Sequence, residues 1–239
     1  MNNHEKIAII PARGGSKRIH KKNIKSFRGF PIIKYSIDAA IQSKLFDRVI
    51  VSTDDEDIAS IAIEYGADVP FLRSQETSDD HSTLGDVIYE TVNRLKIGSN
   101  SLDYICCLLA TAPFVTKEFL IRAEKLFLKE KYDSLFPVVK YSYPIWRSLK
   151  KNCQSDSFDM VWPQHLNTRS QDLEEIYHDA GMFYFLNAVT FKEKKSVFLE
   201  KNGCIETKSW FIQDIDNDED WEHAEIKYDL LRQLNKNLK

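Results

Sequence analysis

The residues best suited to chemistry come early, in Pro11-Ala12-Arg13-Gly14-Gly15-Ser16-Lys17-Arg18-Ile19-His20-Lys21-Lys22-Asn23, after the apolar run Ile7-Ala8-Ile9-Ile10. Between residues 13 and 25 stand six cations, Arg13, Lys17, Arg18, Lys21, Lys22 and Lys25, in a chain whose net charge is −3. Gly14 and Gly15 let backbone N–H groups come close to a ligand, and the cations neutralise it. That combination suits a triphosphate. The spacing is not that of a Walker A loop, nor of the Gly-x-Gly-x-x-Gly turn that opens a dinucleotide-binding helix. The plain alternative is a solvated basic turn or a nucleic-acid patch. The acidic balance and the lack of a second basic stripe interleaved with aromatics weigh against it.

A second loaded stretch lies near the other end, Asp214-Ile215-Asp216-Asn217-Asp218-Glu219-Asp220. The run Ser209–Asp216 reads as a strand, which would put Asp214 and Asp216 on one face about 7 Å apart. Paired hard oxygen ligands of this kind hold Mg²⁺, with substrate phosphates and water completing the octahedron. An EF-hand loop fails at its sixth position, where Glu219 replaces the required Gly. Asp218, Glu219 and Asp220 read instead as charges complementing a helix N-terminus.

These groups need a scaffold, and the pattern supplies alternating strands and helices. Arg48–Ser52 is a short strand ending in the helix-start signal Thr53-Asp54-Asp55. Helical stripes follow on Ile33, Ile37, Ala40 and Ile41; on Ile58, Ile61, Ala62 and Tyr65 before Gly66; on Val87, Ile88, Thr91, Val92 and Leu95; and on Phe119, Leu120, Ala123, Leu126 and Phe127. Tyr104–Leu109, Ser134–Val139 and Met182–Leu186 read as strands. Trp221, Ala224, Tyr228 and Leu231 seam a C-terminal helix. Such alternation predicts an α/β fold with a mostly parallel sheet between helical layers. Ligands in such sheets bind beyond the carboxyl ends of the strands, where the Arg13 loop, Thr53-Asp54 and Thr111-Ala112-Pro113 all fall. Residues 140–180, rich in Tyr, Trp, Pro and His, break the pattern. They read as an inserted arm of hairpins and loops facing a second substrate, a partner subunit, or both.

At 239 residues, 43% hydrophobic and 29% charged, the chain fits one α/β domain spanning 1–239. No signal peptide or long apolar run is visible, so a cytoplasmic protein without a membrane or nucleic-acid partner is expected. Four cysteines lack metal or redox spacing, and Cys106 and Cys107 point to opposite faces of their strand.

Several stretches together resemble a known family: residues 9–23, Val-Ser-Thr-Asp (51–54), Arg73 with Ser78-Asp79-Asp80, and Ile-Asp-Asn-Asp (215–218). They are similar to the cytidylyltransferases of nine-carbon 2-keto-3-deoxy acids, the CMP-sialic acid synthetase family. Phe136–Ile145, Met160–Pro163, Thr168–Leu173 and Tyr177–Gly181 most resemble its pseudaminic acid branch. The resemblance implies a three-layer, Rossmann-like nucleotidyltransferase fold. It also implies a homodimer that uses CTP and a nonulosonic acid with Mg²⁺ and releases pyrophosphate. In that picture Ala12, Arg13, Gly14, Ser16, Lys17 and Lys22 hold the triphosphate and Asn23 lies near the ribose. Arg73 and Asp80 help recognise cytosine, and Asp214 and Asp216 bind the metal. Arg147, Arg169, Gln171, His178 and Asp179 belong to the sugar-acid site, where an Arg–carboxylate contact is reasonable chemistry. His178 reads as a structural group or a hydrogen-bond donor to substrate rather than the base. Leu109-Ala110-Thr111-Ala112-Pro113 stands where sialic acid synthetases carry Gln-Pro-Thr-Ser-Pro, so a polar contact is missing. With Trp146, Trp162 and Phe183, this implies an apolar pocket suited to pseudaminic acid. N-acetylneuraminic or legionaminic acid is the alternative, and a non-catalytic nucleotide- or Ca²⁺-binding module is a further one.

Overall fold

A computed structural model describes residues 4–96 and 101–237. The apolar run of β1 (Glu5–Pro11) is buried on both faces: Ala8 and Ile10 join one core cluster, Ile7 and Ile9 the other. A strand covered on both sides has no reason to alternate, which is why its sequence is continuously apolar. After the cationic loop come a two-stranded ribbon, β2 (Ser26–Phe27) and β3 (Phe30–Pro31), then α1 (Ile33–Ser43), β4 (Arg48–Ser52), α2 (Glu56–Glu64) and α3 (Leu84–Arg94). β5 (Leu102–Leu108), α4 (Lys117–Glu130) and β6 (Ser134–Lys140) follow. Residues 141–176 form the hairpin β7 (Leu149–Lys151) and β8 (Phe158–Met160) with short 3₁₀ turns. The chain returns through β9 (Tyr177–Asp179), β10 (Phe183–Asn187), α5 (Ala188–Lys194) and β11 (Asn202–Glu206), and ends in α6 (Asp218–Asn237).

The main sheet has seven strands, ordered β11-β6-β10-β5-β1-β4, with β9 also paired to β6. β4, β1 and β5 run parallel, as do β6 and β11; β10 enters antiparallel to both β5 and β6. Cys106 and Cys107 face opposite clusters. One face is covered by α1, α2, α4 and α6 through Ile33, Ile37, Ile58, Ala62, Leu120, Ala123, Trp221 and Ala224. The other is covered by α3 and α5 through Ile88, Val92 and Phe191. The fold is therefore a three-layer α/β arrangement. Burying each large apolar side chain contributes about 1.5–3 kcal/mol.

Local signals set the helix ends. Asp55 caps α2 by accepting from the N–H groups of Asp57 and Ile58, and Gly66, at φ +89°, follows its end. Thr83 and Asp86 form a reciprocal capping box at α3.

The structure corrects three sequence readings. Residues 209–216 are not a strand: Ser209–Phe211 is a 3₁₀ turn, and an irregular segment carries Asp214 and Asp216 into α6. This segment pairs with no strand among the described residues and lies against the cationic loop, where Asp216 meets Arg18 and Lys22. Ile41 is exposed although Ile33, Ile37 and Ala40 of its stripe are buried. Phe183 is fully buried in the core, edge-on to Phe119, and so forms no pocket wall in the arm.

Candidate active site

The carboxyl ends of the adjacent strands β1 and β5 open into one cleft of about 530 Å³. Pro11 and the cationic loop form one side, Leu109, Ala110 and Thr111 another, and the segment from Arg73 to Val87 the third. This is where a parallel sheet leaves a crevice, because the loops leaving adjacent strands diverge there.

All six loop cations meet carboxylates, and they fall into two groups. Lys21 pairs with Asp57 of α2 at 2.6 Å, and Lys25 pairs with Asp218 of α6 at 3.0 Å while lying 4.5 Å from the Trp221 ring. These two fasten the loop to its neighbours. Arg13, Lys17, Arg18 and Lys22 line the cleft. Arg13 donates to Asp80 Oδ1 at 2.7 Å and to the Asp79 carbonyl at 3.1 Å, and Lys17 donates to the other Asp80 oxygen. These contacts, Lys17 foremost, hold the Asp80 carboxyl below its ordinary value. Arg18 donates to Asp216 at 2.7 Å, and Lys22 donates to the Ile215 carbonyl at 2.7 Å with Asp216 3.7 Å away. Desolvation lowers the Lys22 ammonium from its ordinary value, and the Asp216 and Asp214 charges partly oppose that.

Gly14 serves a different purpose from the one its sequence suggests. Its N–H already donates to Asp54 Oδ1 at 2.9 Å, and a Cβ there would lie 2.7 Å from the Asp55 carboxylate. The residue lets the loop pass close to the start of α2 rather than offering its own N–H to a ligand. Ala12 is buried behind the loop, and Ser16 donates its N–H to the Gly14 carbonyl. Asn23 lines the cleft and donates to the Arg13 carbonyl at 2.9 Å, holding the loop closed on itself.

Arg73 is the least expected group. Only 7% exposed, it reaches the cleft wall with Nε and one terminal nitrogen lacking a hydrogen-bond partner. Asp54 lies 3.6 Å from that nitrogen, near enough for charge pairing but too far for a hydrogen bond. Burial lowers the guanidinium from its ordinary value, opposed by Asp54 and Glu90. Unsatisfied buried donors on a cleft wall suit a ligand carrying acceptors.

Asp214 and Asp216 lie just outside this cleft, joined to it by Arg18 and Lys22. Desolvation first, then the like charge of Asp216, raises the Asp214 carboxyl. Among the described residues no group of three or more His, Cys, Asp or Glu could hold a metal. A cation here would draw on this pair and on ligand oxygens. Asp220 is occupied elsewhere: it caps α6 by accepting from the N–H groups of Asp216 and Asn217.

The arm residues stay away from the cationic cleft. Arg169 donates to Asp172 at the surface at 2.7 Å, and Arg147 ends a 3₁₀ turn. Gln171 lines a separate cleft of about 300 Å³ with Tyr141, Tyr143 and Glu175. Trp146 packs edge-on to Trp162, and its indole donates to the Glu174 carbonyl. His178 packs against Tyr141. Asp179 is structural here: it accepts from the Gly181 N–H and from the Tyr184 hydroxyl, pinning the bend between β9 and β10. Burial, then this bond, pushes the Tyr184 phenol well up. Sequence reasoning passed over Thr77, Thr83 and Val87 as cleft-lining residues. The capping spacing Thr83-x-x-Asp86 was the one available signal.

The profile of the cytidylyltransferase family matches residues 7–232. The chain belongs to the cytidylyltransferase family. It is similar to the pseudaminic acid cytidylyltransferase of Campylobacter jejuni, 40% identical over 93% of this chain and 95% of that protein. It is also similar to the CMP-N,N'-diacetyllegionaminic acid synthase of Legionella pneumophila, 33% identical over 90% and 92%. A solved CMP-2-keto-3-deoxy-manno-octonic acid synthetase complexed with CTP shares the fold, with a TM-score of 0.68 at 16% identity, covering 96% of this chain and 99% of that one.

Proposed function

We propose that this cytidylyltransferase transfers CMP from CTP to the anomeric hydroxyl of a nonulosonic acid, pseudaminic acid foremost, releasing pyrophosphate and a proton. The observation that carries the reading is the similarity to pseudaminic acid cytidylyltransferase along almost the whole of both chains. The cationic cleft supports the nucleotide half: the four cations that its loop contributes exceed what Asp80 and Asp216 neutralise, and a triphosphate supplies the missing negative charge.

In this mechanism Arg13 and Lys17 pass from Asp80 to phosphate oxygens, and Arg18 and Lys22 pass from Asp216 in the same way. The exchange keeps the cations aimed at the cleft, so little reorganisation remains when charge develops on the leaving pyrophosphate. Arg73 offers its free donors to the acceptors of the cytosine ring. The sugar hydroxyl attacks the α-phosphorus in line with the departing pyrophosphate. Asp214, destabilised as an anion by burial and by Asp216, fits a divalent cation, and these two residues would hold Mg²⁺. Bound there, the ion supplies charge neutralisation of phosphate oxygens.

The test is turnover with CTP and a panel of pseudaminic, legionaminic and N-acetylneuraminic acids, read by pyrophosphate release. Preference for pseudaminic acid is expected. Equal or better use of N-acetylneuraminic acid would overturn the sugar assignment while leaving the cytidylyl transfer intact.

A further inference from the structure

Arg73 cannot fix its own direction, because Nε and one terminal nitrogen have no hydrogen-bond partner. What holds it is its backbone. Its N–H donates to the Thr53 carbonyl at 2.7 Å, and the chain on either side of it is gripped from α3. On the near side, Arg94 donates to the Leu72 carbonyl at 2.7 Å and lies over the Phe71 ring at 3.8 Å. On the far side, Glu90 accepts from the Ser74 N–H at 3.0 Å with one oxygen and from the Thr77 hydroxyl with the other. Glu90 and Arg94 also pair with each other at 3.1 Å, one helical turn apart. The Glu90 side chain is only 13% exposed, so its three partners, Ser74, Thr77 and Arg94, leave little room for rearrangement.

We propose that Glu90 is a positioning residue for base selection, fixing the Ser74–Thr77 turn from α3 so that the free donors of Arg73 meet cytosine. Resting on the proposed CTP chemistry, it assigns a role to a carboxylate that lines no part of the cleft. Glu90 acts by two routes: hydrogen bonds to the turn, and its charge opposite the buried guanidinium. Losing either lets Arg73 wander, and a displacement of about 1 Å at a recognition group is enough to cost binding heavily.

The experiment measures equilibrium binding of CTP and UTP, and steady-state KM and kcat, for wild type, Glu90→Ala, Glu90→Gln and Thr77→Val, each checked for a folded melting transition. Glu90→Ala is expected to weaken CTP roughly tenfold or more and to shrink the CTP-over-UTP preference. The KM for the sugar acid should stay unchanged. Glu90→Gln, which retains one acceptor oxygen for the turn but not the charge, should recover part of the loss. Thr77→Val should repeat part of the Glu90→Ala defect, and combining the two should add less than the sum. If Glu90→Ala fails to fold, Glu90→Gln, at a residue outside the cleft, decides together with Thr77→Val. Unchanged CTP affinity and base preference in the folded variants would overturn the inference. Failure of the wild type to bind CTP would instead overturn the proposed nucleotide.

Discussion

Gly85 sits in the first turn of α3, the helix that carries Leu84 and Val87 into the cleft. Helix propensity alone says that Gly85→Ala should stabilise the protein by about 1 kcal/mol. The structure says the opposite. A Cβ at Gly85 would lie 2.0 Å from the Lys195 carbonyl oxygen and 2.8 Å from its carbon, where ordinary contact is about 3.5–4.0 Å. The obstacle is backbone, so no side-chain rotation relieves it. Lys195 also closes α5, its N–H donating to the Phe191 carbonyl at 2.7 Å, while Phe191 is buried in the core. Separation must therefore move the start of α3 or the end of α5, at about 1–3 kcal/mol beyond the propensity gain. In urea unfolding, Gly85→Ala should lower the midpoint at unchanged slope, by the equivalent of about 1–3 kcal/mol. The KM for CTP should rise as the cleft wall shifts. A stabilised variant with wild-type KM would refute the reasoning.

Thr83→Ala removes half of the α3 capping box and should cost about 1 kcal/mol in the same unfolding assay; no change would mean that the helix start is held by other contacts. The Asp80 carboxyl, lowered by Lys17 and Arg13, is expected to titrate below its ordinary value of 3.8 by carboxyl-carbon NMR. Because its folded pKa is depressed, the clamp across the cleft persists at neutral pH and is lost only as pH falls through that lowered value. A titration at or above 3.8 would contradict the clamp. Asp216→Asn should abolish pyrophosphate release while CTP binding remains, and undiminished release would remove Asp216 from the metal pair.

Much of this protein is legible locally. The strands at 7–10 and 48–52, the Asp55 cap, the Gly66 terminator and the α6 seam each follow from the pattern within a few residues. So does the cationic loop, since charge density needs no tertiary information. What escaped depends on distant partners. The insertion of β10 between β5 and β6 is a pairing choice that no local period encodes. Phe183 reads as a pocket aromatic until the sheet around it is known. The segment 209–216 has strand-like residues, yet among the described residues it pairs with no strand and is held instead by contacts from Arg18, Lys22 and Lys227. Gly14 signals freedom of the backbone, and only the neighbouring Asp55 shows that the freedom is used for packing. Glu90 and Arg94 look like an ordinary surface pair at helical spacing, and their grip on residues 72–77 appears only in three dimensions.

The central claim is that the cleft beyond β1 joins CMP to a sugar acid. The most direct measurement incubates the protein with CTP, pseudaminic acid and Mg²⁺, and quantifies CMP-sugar by mass spectrometry alongside pyrophosphate. The account predicts equal amounts of the two products, formed only when both substrates are present. Pyrophosphate without CMP-sugar, or no product from either substrate pair, would contradict it.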